Sequence, residues 1–233
     1  MILERKSKFN IPDLKEQGDL FRGLMHKSDD ENPHESLIKL AELIQVYGAA
    51  MKELSTKLEV LDDEFQITHK HNPIHHIECR IKSVVSLIQK IQRYNIPFSL
   101  ESARENIFDI AGIRVICNFV DDIYMLEKLL LNHPDIELHA RKDYIEKPKE
   151  NGYRSLHLVV KVPVLLSNRT ENIPVEIQLR TIAMDYWASL EHMMRYKNNK
   201  CEMTKYSAML LECADTLAET EKTMQYIREN IES

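Results

Sequence analysis

Apolar residues recur at three- and four-residue spacing from residue 35 to about residue 70. Leu37, Leu40, Leu43, Ile44, Tyr47, Met51, Leu54, Leu58, Leu61 and Phe65 share one face of a predicted helix. Pro73 ends the run. The period then shortens to two, and residues 75–81 (HHIECRI) predict a short strand. Ser83 opens a helix through residue 94, with Val84, Leu87, Ile88 and Ile91 on one side, and Asn95-Ile96-Pro97 breaks it. Residues 106–109 read as a helical turn and 110–119 as a β-branched core strand. A helix over 121–132 stops at Asn132-His133-Pro134. Strands are predicted at 136–144, 156–162 and 173–179, with a loop at 148–153. Helices follow at 181–196 and 204–231. Residues 1–34, polar and mixed, read as an irregular arm.

Helices, then strands mixed with helices, then helices again predict an α/β (α+β) fold built on a mixed sheet. The chain divides into a helical extension over 1–70, a central domain over 71–197 and a C-terminal helical extension over 198–233. A length of 233 residues suits that division. The net charge of −6 argues against a binder of duplex DNA but leaves room for a local basic pocket. Cys79, Cys117, Cys201 and Cys213 form no C-x-x-C pair, which predicts reduced thiols. The first residues lack an apolar signal core, and no apolar run is long enough to cross a membrane, so the expected compartment is the cytoplasm.

Several nucleotide signatures are missing. There is no G-x-x-x-x-G-K-[ST], no G-x-G-x-x-G, no Gly-Ser followed by Asp-x-Asp, and no His followed by Asp. Four polar segments remain. The densest is KDYIEKPKENGYRSLH, residues 142–157, in which Lys142, Lys147, Lys149 and Arg154 surround an Asn151-Gly152 turn followed by Tyr153. Cations for phosphates beside an aromatic face for a base are what a nucleotide requires, although a solvated hairpin loop has the same composition. In VEIQLRT, Glu176, Gln178 and Arg180 alternate on one strand face, opposite Val175, Ile177 and Leu179. In FDIAGIRVI, Asp109 precedes a strand that contains a lone Arg114. In CRIKSVVSLIQKIQR, Arg80 and Lys82 alternate on a strand, and Ser86, Lys90 and Arg93 follow on one side of a helix.

Together these segments resemble the synthetase motifs of the RelA/SpoT family, in the family's order, over about residues 75–195. The N-G-Y-R-S-L-H block is the most specific. The missing His-Asp pair and the short chain resemble the single-function small alarmone synthetases of the RelP/RelQ kind, with no hydrolase activity. The resemblance implies a nucleotidyltransferase-like synthetase domain. It implies transfer of pyrophosphate from ATP to the 3′-hydroxyl of GTP or GDP, with AMP released and the alarmones of the stringent response formed.

It also implies roles by position. Arg80 and Arg114 match the arginines that sandwich adenine, a contact worth about 0.5–2 kcal/mol per face. Lys82, Ser86, Lys90 and Arg93 match the unit that grips the ATP phosphates. Asp109 matches the magnesium ligand, and Glu176 the catalytic glutamate near the metal and the attacking hydroxyl. Tyr153 matches the ring that stacks on guanine, and Lys142, Lys149, Asn151, His157 and Gln178 match further acceptor contacts. Asp185 stands where some members carry Asn near guanine; a carboxylate can accept from that base, or can pair within its own helix.

The expected cofactor is Mg²⁺, and the expected assembly is a homotetramer through the helical ends. The other reading of the same residues is a nucleotide- or RNA-binding regulator without catalysis. The presence of both Asp109 and Glu176 favours the enzyme. His69, His71, His75 and His76 invite a zinc site, but Pro73 divides them and no cysteine pair completes a set, so structural histidines are favoured.

Overall fold

The computed structural model describes residues 8–10, 33–97, 99–197 and 200–232. Six strands form one mixed sheet in the order β1-β2-β3-β6-β5-β4. They are β1 (Lys8–Asn10), β2 (Ile74–Ile81), β3 (Ala111–Cys117), β4 (Glu137–Asp143), β5 (Leu156–Leu165) and β6 (Thr170–Thr181). The helices are α1 (Pro33–Thr68), α2 (Val84–Tyr94), α3 (Leu100–Asn106), α4 (Val120–Leu131), α5 (Ile182–Lys197) and α6 (Lys200–Glu232). β1 pairs parallel to β2 and β3 parallel to β6, while the other neighbours run antiparallel.

The apolar stripe of α1 lies against β2, β3, β5 and β6. Leu40, Leu43, Tyr47, Met51, Leu54 and Leu58 are buried there, in one core with the inward residues of the strands. Each such side chain contributes about 1.5–3 kcal/mol when fully buried. The helix assigned by sequence to an N-terminal extension therefore shares the core of the central domain.

α2 begins where Ser83 Oγ accepts from the Ser86 amide and ends at Asn95, whose left-handed φ of 52° closes the last turn. Its buried residues are Val84, Leu87, Ile88 and Ile91. The helical turn expected at 106–109 lies earlier, as α3, which Ser99 caps through the Ser102 amide at 3.0 Å. β5 and β6 are longer than expected, because their hairpin continues past Pro163 to pair Leu165 with Thr170 and β6 runs on to Thr181. The irregular arm expected over 1–34 contains the short strand β1; its other residues before Pro33 lie outside the described ones. Among the described residues no helix is long and apolar enough to cross a membrane.

Candidate active site

Period-two alternation gives the sheet two unlike faces. Ile113, Val115, Val175, Ile177 and Leu179 are buried in the core, and the alternate residues point the other way. The register collects those alternates into two rungs. Glu78, Arg114, Gln178, His157 and Lys142 stand opposite one another across β2, β3, β6, β5 and β4. Arg80, Gly112 and Glu176 form the rung beside it. Residues far apart in sequence thus share one surface, and a cleft of about 310 Å³ opens over Glu78, Arg80, Asp109, Arg114, Glu176 and Gln178.

One end of the cleft gathers cations around a carboxylate. Lys82 follows β2 and Lys90 lies on α2, and both ammonium groups lie 2.8 Å from Asp109 Oδ2. Burial alone would raise the Asp109 carboxyl, but hydrogen bonds from Lys82 and Lys90 hold it below its ordinary range. Its other oxygen, Oδ1, is buried and has no hydrogen-bond partner. Ser86 sits beside the α2 cap, 2.9 Å from Ser83 Oγ. Arg93 lies further along α2, is exposed, and is over the ring of Tyr94 at 5.2 Å. The structure therefore brings Lys82, Lys90 and Asp109 together and leaves Arg93 outside that cluster.

The other end is a chain of hydrogen bonds. Gln178 Nε2 donates to Glu176 Oε2 at 2.8 Å, and His157 Nδ1 lies 3.4 Å from Glu176 Oε1. His157 Nε2 is 2.7 Å from the Tyr153 hydroxyl. Arg180 donates to that hydroxyl at 2.7 Å, to Gln178 Oε1 at 3.0 Å and to Asp185 Oδ1 at 2.9 Å. Lys149 Nζ lies 4.4 Å from the ring centres of both Tyr144 and Tyr153. Burial lowers the Lys149 ammonium below the ordinary lysine range. Asn151 donates to Glu191 at 3.2 Å, and its own side-chain oxygen accepts from the Tyr153 amide at 3.3 Å. Lys142, opposite His157, is exposed.

Burial would also raise Glu176, but His157 and Gln178 hold it below the ordinary glutamate range. Glu176 is therefore ionised at neutral pH, on the floor between the lysine cluster and the tyrosine loop.

Residues 79–201 match the region found in RelA / SpoT proteins. The chain is 42% identical over 187 residues to GTP pyrophosphokinase YwaC of Bacillus subtilis, covering 80% of this chain and 89% of that one. It is 34% identical to GTP pyrophosphokinase YjbM of the same organism, covering 80% and 87%. The chain belongs to the RelA/SpoT family. The crystal structure of small alarmone synthetase 1 from Bacillus subtilis bound to its product pppGpp is 33% identical, with a TM-score of 0.77, over 84% of this RelA/SpoT protein and 99% of that chain.

One residue of this RelA/SpoT site, Glu78, escaped the sequence reading, and a second, Arg180, was named there by its strand face without a role. Glu78 lines the cleft and accepts from Arg114 at 3.2 Å. Arg180, with its side chain 6% exposed, ties Tyr153, Gln178 and Asp185 together. The signal for Glu78 is its position two before Arg80 on the same strand face. For Arg180 it is the same alternation that singles out Glu176 and Gln178. Asp185 lies between two arginines, 2.9 Å from Arg180 and 3.4 Å from Arg114.

The histidine cluster disperses. His71 Nε2 lies 2.9 Å from both oxygens of Asp122, His69 Nδ1 is 2.7 Å from Thr68 Oγ1, and His75 and His76 face each other at 2.8 Å. Among the described residues no group of three or more His, Cys, Asp or Glu could hold a metal ion. Asp109 and Glu176 both line the cleft, and two carboxylates are enough for Mg²⁺ when phosphate oxygens complete its shell.

Proposed function

We infer that this protein is a GTP pyrophosphokinase, which transfers pyrophosphate from ATP to the 3′-hydroxyl of GTP or GDP and makes pppGpp or ppGpp. One observation carries the reading: the ionised Glu176 lies between a lysine pair suited to a polyphosphate and a tyrosine loop suited to a base. A regulator that only binds nucleotides has no use for a carboxylate held charged at that point.

In this reading Arg80 and Arg114 flank adenine. Lys82 and Lys90 leave Asp109 for the ATP phosphates, which offer more negative charge than one carboxylate. Ser86 and Arg93 extend that phosphate surface along α2. Tyr153 stacks on guanine, while Lys142, Lys149, Asn151, His157 and Gln178 hold the acceptor. Asp185 orients Arg114 and Arg180.

The acceptor's 3′-oxygen attacks the β-phosphorus of ATP. The bond from that phosphorus to the bridging α,β-oxygen breaks, and AMP leaves with the electron pair. Glu176 accepts the hydroxyl proton as the new bond forms. Positioning and charge neutralisation supply most of the acceleration in such a loose transition state. Asp109 and Glu176 fit Mg²⁺, because Asp109 Oδ1 is a buried donor oxygen without a protein partner. Bound there, the ion would neutralise charge on the phosphates.

We also propose that the protein acts in the cytoplasm, where its nucleotides are, and that it assembles as a homotetramer. The test of function is direct. Incubation with ATP, GTP and Mg²⁺ should yield AMP and pppGpp in equal amounts by ion-exchange chromatography, and a chelator should abolish both. Release of ADP, or no AMP, overturns the reading.

A further inference from the structure

The acceptor turn rests on α6 as well as on the sheet. Gly152 adopts φ +90°, and a side chain there would meet Ala214 Cβ at 2.6 Å. Arg154, just beyond the turn, donates to Asp215 Oδ1 at 3.0 Å. Trp187 Nε1 on α5 donates to the Leu210 carbonyl of α6 at 2.8 Å, fixing where the long helix lies. Tyr153 packs against the buried cluster of Trp187, Ala188 and Ala214. The free space beside these residues is about 10 Å³, too little to absorb a larger side chain.

We propose that Ala214 and Asp215 are positioning residues for the acceptor nucleotide: α6 sets where the turn holds Tyr153, and so where guanine stacks. The proposal rests on the reading of that turn as the guanine site. Within the turn Gly152 N donates to Lys149 O at 2.8 Å and Lys149 N to Tyr153 O at 3.2 Å, and side-chain bonds tie Asn151 to Glu191 and the Tyr153 hydroxyl to His157 and Arg180. The sheet and α5 hold those side chains, and α6 sets the height of the backbone between them, because Gly152 lies against Ala214 and Leu211 and Arg154 is held by Asp215. The lysine cluster at the other end takes its contacts from β2, α2 and Asp109. A shift of α6 should thus be felt by GTP and not by ATP.

Steady-state kinetics on the full chain, with each substrate varied separately, test this. Ala214→Leu should raise the KM for GTP about tenfold, because a misplacement of about 1 Å is costly, while the KM for ATP stays near wild type; overpacking this closed site should also lower its melting temperature. Asp215→Ala should raise it about threefold, and Asp215→Asn, which still offers Arg154 an acceptor, should restore it. Thr223→Ala, about two turns further along α6 and exposed, should change nothing. Trp187 is the sole tryptophan, so its emission should shift on adding GTP and stay constant on adding ATP. Folded Ala214→Leu and Asp215→Ala proteins with a wild-type KM for GTP overturn the proposal. So does an equal rise in both KM values. If Ala214→Leu does not fold, the two Asp215 variants decide. A wild-type protein that makes no product from ATP and GTP overturns the proposed function instead, whatever the variants do.

Discussion

Lys82 and Lys90 meet on a single oxygen, each ammonium 2.8 Å from Asp109 Oδ2. All three side chains are less than one-fifth exposed. Asp109→Asn would leave two close, largely buried cations without a counter-charge. Because the folded-state pKa of Asp109 is lowered, its stabilisation is present above the ordinary aspartate value, about 3.9, and is lost as pH falls through the folded value. Asp109→Asn should therefore melt below wild type at pH 7, with the gap closing as the solution is acidified. A bound triphosphate should narrow the gap at pH 7 by replacing the lost charge. Equal melting temperatures at pH 7 would show that the lysines do not need Asp109.

Glu176 should carry turnover and little of the binding. Glu176→Gln keeps an oxygen that can accept from Gln178, so the variant should fold and bind GTP. Its kcat should fall by about 10²–10⁴-fold, the range for a positioned proton acceptor. The lowered pKa also fixes a sign: protonation of Glu176 can limit the rate only below the ordinary glutamate range, about 4.3. In His157→Gln the carboxyl loses its largest charge-stabilising partner and its pKa should rise, moving the acid limb of kcat upward. A Glu176→Gln enzyme with near wild-type kcat, or an acid limb that stays in place in His157→Gln, would remove Glu176 from this role.

Most of the fold was legible because each core strand repeats with period two and each long helix with period near 3.6. β2, β3 and α2 follow from that pattern within a few residues. β5 was expected to stop at residue 162, just before Pro163, which argues against a strand interior; here the hairpin carries Pro163 opposite Asn172, and β6 extends at both ends beyond the expected 173–179. α3 was displaced because seven residues hold too little periodicity to outweigh a neighbouring apolar run. The site was legible as residue types in order. The contacts that organise it were not, since Arg180 meets Tyr153 across 27 residues and Arg114 meets Glu78 across 36. Only the strand register puts those pairs on one face.

Asp185 separates two readings by which substrate responds. It touches Arg114, proposed for the adenine side, and Arg180, which organises the acceptor side. Asp185→Asn keeps an acceptor but removes the charge that holds both guanidiniums. The KM values for ATP and GTP should rise together, by about threefold to tenfold, the scale of a weakened charge-assisted hydrogen bond. A rise confined to GTP would mean that Asp185 contacts guanine directly.

Tyr153 supplies the sharpest test, because its ring and its hydroxyl are engaged separately. The resemblance alone gives weight to the ring, which would make Tyr153→Phe nearly silent. In the structure the hydroxyl lies 2.7 Å from both His157 Nε2 and Arg180 Nη2, so removing it takes one partner from each, leaving Arg180 Nη2 only its bond to Gln178. His157 in turn faces Glu176, with Nδ1 3.4 Å from Oε1. Tyr153→Phe should therefore lower kcat by about tenfold, roughly the cost of one lost hydrogen bond to a charged partner, while the KM for GTP changes little. Tyr153→Ala also loses the stacking surface, so its KM for GTP should rise by an amount corresponding to about 1–3 kcal/mol. The ring packs beside Trp187 and Ala214, so Tyr153→Ala should melt at a lower temperature than Tyr153→Phe, which keeps the ring and loses only the hydroxyl's bonds. Kinetics with GTP and ATP varied separately, beside thermal melts, resolve the two contributions. A Phe variant with wild-type kcat would show that the hydroxyl network does not reach Glu176, and an Ala variant with unchanged KM for GTP would remove Tyr153 from the guanine site.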